Sequence, residues 1–161
     1  MSAHRAAAGG RRDVAVKDAA GEALRKRLKA LKLLKGRGAH GSLLKLCQAG
    51  RLIGGLSVSL RATPDEAMGP LTHAMGGAAK KLKLVDVRGA VPMELQVEFS
   101  TAGGPKVEKW EVEGVRGLVH NLNDLYRDDP TVKQVRVLGE WEDMLQLWCL
   151  SAEDARATER L

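Results

Sequence analysis

The chain has 161 residues with a formal net charge of +6, 44% hydrophobic and only 3% aromatic residues. That length suits one α+β domain whose core is built from Leu, Val and Ala, burying about 70% of the unfolded surface without staples. No apolar run approaches the roughly 20 residues that cross a bilayer, and no apolar segment of a secretory signal follows the basic start.

The charge is unevenly spread. Residues 1–51 hold 13 Lys and Arg against 3 Asp and Glu, a net +10, whereas residues 52–161 hold 13 against 17, a net −4. A basic first third on a mildly acidic body points to an anionic partner. Cys47 and Cys149 lie far apart with no paired CxxC. That spacing fits free thiols in a reducing, cytoplasmic compartment better than a disulfide framework.

In chain order, residues 1–13 read as a disordered basic tail, 14–50 as a basic helical segment and 51–161 as the α+β domain. The Arg-rich, acid-poor start also has the composition of an organelle transit peptide, though nothing else points to an organelle. A helix is expected over 14–35, with Leu24, Leu28, Leu31 and Leu34 or Lys35 as a narrow apolar stripe and Gly36 as its stop. Arg25, Lys26, Arg27, Lys29, Lys32 and Lys35 cover much of the remainder. A solvated or partner-facing helix is the plain reading, and a phosphate-binding helix the sharper one. A membrane-surface helix is disfavoured, because the stripe lacks Trp or Phe.

Gly36-Arg37-Gly38-Ala39-His40-Gly41 is a literal GxGxxG. A dinucleotide site needs that motif after a buried strand, and here it follows a Lys-rich helix. A flexible connector is the simpler account. If the loop binds an anion, Arg37, His40 and Lys45 suit a nucleic-acid phosphate. Ser42 is placed to cap a short helix, 43–48, ended by Gly50.

Residues 56–61 alternate as a strand. Thr63-Pro64-Asp65-Glu66 opens a helix, with a kink or restart expected at Pro70. Another strand is expected over 82–87. From Pro92 to Leu150 the pattern is clearest. Leu95, Val97 and Phe99 alternate with acids, a Gly-rich turn follows, and Trp110 and Val112 share the face of a returning strand. Val115, Leu118, Val119, Leu122, Leu125 and Tyr126 then keep helical spacing until Pro130. Val132, Val135 and Val137 begin a third strand. Residues 140–150 lack β-branched side chains and suit a helix by propensity. The hairpin reading, with a tip at 139–143, is preferred because Ser151 reads as a fresh N-cap. The fold class is therefore α+β: an antiparallel sheet with a ββαββ-like core over 92–150, helices covering one face, and a basic helical N-terminal segment.

The chemistry-bearing motifs are few. HExxH, GxxxxGK[ST], GxSxG and paired CxxC are missing, and the four His show no ligand spacing. No catalytic residue, cofactor or metal site is expected. Asp86 with Glu94-Leu95-Gln96 distantly suggests the acids of a metal-dependent nuclease, but without the expected Lys. Trp141, among Glu140, Glu142 and Asp143, is either tucked inward or an aromatic anchor for a partner.

The leading expectation is a non-enzymatic nucleic-acid-binding protein whose phosphate contacts come from Arg25, Lys26, Arg27, Lys29, Lys32, Lys35, Arg37 and Lys45. The rival is a protein-interaction adaptor whose basic helix docks on an acidic partner, with Trp141 as its anchor. A divergent nuclease is third. Self-association into a homo-oligomer is compatible with all three.

Overall fold

The computed structural model describes residues 19–37 and 40–161. The expected tail, the first residues of the expected 14–35 helix, and Gly38 and Ala39 lie outside that set. Five helices and six strands follow one another: α1 (residues 19–30), α2 (Leu43–Gln48), β1 (Gly55–Ser59), α3 (Pro64–Met75), a 3-10 turn (Gly77–Lys81), β2 (Lys83–Arg88), β3 (Met93–Thr101), β4 (Gly104–Val112), α4 (Val115–Leu125), β5 (Gln134–Trp141), β6 (Met144–Leu150) and α5 (Ala152–Ala157). The strands form two three-stranded antiparallel sheets, ordered β1-β6-β5 and β2-β3-β4. The ββαββ order over 92–150 is present as β3-β4-α4-β5-β6, but its two hairpins belong to different sheets. Each hairpin gains a third strand from upstream chain: β2 beside β3, and β1 beside β6.

The alternation in β3 buries Met93, Leu95 and Val97. Leu95 lies opposite Trp110 and Met93 opposite Val112, so one face of the hairpin is continuous apolar surface. Val115, Leu118, Val119 and Leu122 of α4 and the buried side of α3 complete a cluster with Leu145, Leu147 and Cys149 of β6. The opposite side of β6 sends Trp148 and Leu150 into a second cluster with Leu28, Leu33, Leu46, Cys47 and Leu52. Helices therefore do not cover one face only. The β1-β6-β5 sheet is apolar on both sides, with α1 and α2 over the outer one. This explains how a segment without β-branched residues becomes a strand: β6 is paired on both edges and buried at every position from Leu145 to Leu150. Packing of that kind overrides the propensity of Leu, Met and Gln.

Local signals fare differently at the helix ends. Ser42 Oγ accepts from the Lys45 N–H at 3.2 Å, and Gly50 closes α2 at φ 72° with Arg51 N–H donating to Leu46 O at 2.8 Å. Ser151 caps α5 in the same way, accepting from the Asp154 N–H at 3.1 Å. The Thr63 hydroxyl instead donates to Glu66 Oε1 at 2.6 Å. Helix α3 runs through Pro70 without restarting, since both Pro70 and Glu66, whose carbonyl loses its helical partner, are exposed to water. The first helix ends earlier than its Leu stripe suggests. It is helical to residue 30 and reverses at Lys32, φ 60°, where Leu33 N–H donates to Leu28 O at 2.9 Å. Left-handed backbone at a non-Gly residue costs about 1–2 kcal/mol. Burial of Leu33 offsets it by about 1.5–3 kcal/mol.

Phe99, expected inward with Leu95 and Val97, is only half-buried, because it lies opposite Lys106 near the turn of its hairpin, away from the buried end at Met93 and Val112. Leu95→Ala should therefore cost about 2–5 kcal/mol. Phe99→Ala, although it removes more atoms, should cost less. Urea unfolding of the two variants measures both values, and a larger loss at Phe99 would contradict this assignment of the hairpin's buried end.

Candidate nucleic-acid interface

Helix α1 seats Leu28, wholly buried, in the second cluster, with Leu24 and Leu31 half-buried beside it. The chain then turns at Lys32 and runs beside residues 51–53. Ile53 N–H donates to Leu33 O at 2.8 Å, Lys35 N–H donates to Arg51 O at 2.7 Å, and Leu34 bridges Leu52. The far end of the connector returns to α1. A Cβ on Gly21 would sit 2.9 Å from Gly41 Cα, so only glycine permits that approach. Arg25 Nη1 donates to His40 O at 3.0 Å.

Between α1 and the connector lies an open groove of about 650 Å³. Arg25, Lys26 and Lys29 line it from α1, and Gly36 and Arg37 from the other wall, with Glu22 the one acid among the described lining residues. Of the cations singled out from the sequence, these four converge. The others do not. At about 100° per residue, Arg27 stands roughly 160° around the helix from Lys29. Lys32 is exposed in the reversed turn, and Lys35 is exposed with its backbone N–H committed to Arg51. Lys45, on α2, holds its Nζ 5.6 Å from the centroid of the Trp141 ring.

Sequence reading missed Arg51 as a site residue. Its Nη1 lies 3.2 Å from the position a Cβ would take on Gly36, which sets a further cation beside the groove although it is not one of the lining residues. Arg51 arrives through the pairing of residues 33–35 with 51–53, and no local pattern marks it. Trp141 is half-buried and the most exposed of the three Trp. Its hairpin tip places Glu142 at φ 50° and Asp143 at φ 62°.

Two other arrangements bear on chemistry. Asp86, Glu94 and Gln96 do lie on adjacent strands, and Lys109 of β4 sits opposite Gln96. Each acid has its own cation: Arg88 Nε is 2.9 Å from Asp86, and Lys109 Nζ is 3.7 Å from Glu94. Among the described residues no group of three or more His, Cys, Asp or Glu could hold a metal ion. A larger groove, about 730 Å³, opens between the loop before α3 and the start of α4. Its lining mixes Arg61 and Arg116 with Glu111, Glu113 and Glu140, and the Arg116–Glu140 pair spans it at 3.4 Å. Such a balance of signs selects no ligand.

Both cysteines are buried free thiols. Burial pushes the Cys47 thiol up, and the same cause lifts Cys149 to about 11. Nucleophilic or redox chemistry near neutral pH is therefore not supported at either. Among the described residues, no helix is long and apolar enough to cross a membrane. Comparison with protein-family models, with curated proteins and with solved structures returns no match.

Two outcomes follow from this geometry. Alanine in a helix interior normally gains about 0.5–1 kcal/mol over glycine. Gly69, in the middle of α3, has nothing within 4 Å of its would-be Cβ apart from its chain neighbours, and it should show at most part of that gain, because the Cδ of the following Pro70 crowds a Cβ there. Gly21→Ala should show none of it, because the connector backbone must move, and thermal unfolding of the two variants compares them directly. The thiols should label slowly with a disulfide reagent at pH 8, where roughly a thousandth of Cys149 is thiolate. Labelling should become fast on denaturation, and rapid labelling of the folded protein would contradict their burial.

Proposed function

We propose that this is a non-enzymatic nucleic-acid-binding protein that holds the phosphate backbone with the cations of α1 and its connector. The observation that supports the reading is the convergence of Arg25, Lys26, Lys29 and Arg37 on one groove against a single acid, Glu22, among the described lining residues. Cations gathered from two segments onto one concave surface raise the local potential more than the same charges scattered. Each phosphate they neutralise releases condensed counterions, the main sequence-independent source of affinity for nucleic acid. Phosphate contacts fix position and carry no sequence information, so binding should be largely independent of sequence. The remaining sheets and helices act as the scaffold.

The rival reading places an acidic protein on the same cations, and a salt titration against generic DNA or RNA separates the two. With Lys26, Lys29 and Arg37 each meeting one phosphate, log affinity should fall by roughly two to three units per tenfold rise in salt. Position should matter beyond net charge. The double change Lys26→Gln with Lys29→Gln should flatten the slope by about two contacts. Arg27→Gln with Lys32→Gln, which removes as much charge outside the groove, should leave most of the slope. Equal effects of the two pairs would reduce the groove to diffuse attraction. Absence of any nucleic-acid binding at about 50 mM salt, where such contacts are strong, would overturn the proposal.

A further inference from the structure

We infer, resting on the nucleic-acid reading above, that the groove between α1 and the connector takes a single strand rather than a duplex. Its cations stand on two facing walls: Lys26 and Lys29 on α1, and Arg37 across from them beside Gly36. A ligand that meets both walls has to lie between them. The space is about 650 Å³, in the range of about 300–1,000 Å³ that encloses one small molecule. A short length of sugar–phosphate chain fits that space.

A duplex does not. It presents its phosphates on a convex, stiff cylinder with a persistence length of about 150 bp, so it cannot fold into so small a concavity. It could reach only the rim. Lys26 and Lys29 are one helical turn apart, with Cβ atoms about 5–6 Å from each other, so they can meet successive phosphates of one flexible strand. Arg25 contributes by position: its guanidinium bonds the His40 carbonyl and holds the connector at its distance from α1. No aromatic side chain is among the described lining residues, so the groove has no platform on which bases stack. The strand is held by its backbone, with a slope per phosphate of about 0.7 rather than the 0.9 of a duplex.

The test uses the full chain with a labelled mixed-sequence 20-nucleotide strand, the same strand annealed to its complement, and inorganic polyphosphate of similar length, all at about 50 mM salt. The single strand should bind at least about tenfold more tightly than the duplex. Arg37→Gln should weaken single-strand binding by roughly as much as Lys26→Gln, about eightfold each at that salt. Lys80→Gln with Lys81→Gln, on the 3-10 turn, should leave it unchanged, with thermal unfolding confirming that every variant is folded. Duplex binding equal to or tighter than single-strand binding would overturn this inference and leave the nucleic-acid reading standing. Failure to bind either form would overturn both. Polyphosphate binding as tightly as the oligonucleotide would show that bare phosphate is what the groove reads, and would overturn the single-strand assignment.

Discussion

The burial of the Trp148 indole is the interaction on which the rest depends. Trp148 is fully buried on β6, on the side facing α1 and α2, and its ring nitrogen donates to Ile53 O at 2.9 Å. Arg136 lies 6.0 Å from the ring centroid and also donates to Thr158 O and Leu161 O, which fastens the chain after α5 to the same sheet. Removing so large a side chain would leave a cavity that α1, α2 and β6 would have to close at once. The indole also ties the core to the surface. Ile53, which it holds, donates its own N–H to Leu33, and the neighbouring Arg51 carbonyl accepts from Lys35. The basic groove is thus positioned by backbone bonds that lead back, within a few residues, to the middle of the sheet.

This arrangement reconciles a repulsive surface with a stable helix. Cations crowded on α1 and its connector repel one another and favour expansion of the segment. Leu28, Leu33, Leu46 and Leu52 oppose that expansion by burying their side chains against Trp148 and Leu150. Each contributes about 1.5–3 kcal/mol as an upper estimate, and that term is insensitive to the ionic strength that governs the cations. The protein can therefore keep the groove's shape as ionic strength changes. Among the described residues three buried polar atoms lack a hydrogen-bond partner, Asp65 Oδ1, the Tyr126 hydroxyl and the Gln146 amide nitrogen, and the last lies in the central strand. Gln146, wholly buried in β6, accepts from Ser57 Oγ at 2.6 Å, while its amide nitrogen has no partner. An unsatisfied donor of that kind costs about 1–3 kcal/mol.

Much of the architecture was legible because its signals are local. Alternation marked β3 and β4, three-and-four spacing marked α4, and Ser42 and Ser151 marked helix starts through side-chain oxygens that satisfy free N–H groups. These patterns are written in neighbouring residues and need no knowledge of what they pack against. The charge asymmetry was equally plain, and it named the segment on which the candidate site lies. The segment's own Leu stripe implied that its cations lie off the core face, but it did not separate Lys26 and Lys29 from Arg27.

Tertiary structure decided the rest, wherever distant residues compete for the same atoms. Only the pairing of β1 and β5 with β6 made a strand of a segment with helical propensity. Only the burial of Leu33 ended α1 at residue 30 and reversed the chain at Lys32, where the stripe alone would have carried the helix to Lys35. Arg51 joins Arg37 because backbone bonds bring residues 35 and 51 together. The sequence by itself determined most of the element types, β6 excepted, and the basic character of the first third, since propensity, capping and charge act over a few residues. Which cations share a groove was settled by long-range hydrogen bonds and shared burial, whose energies depend on partners that no local pattern names.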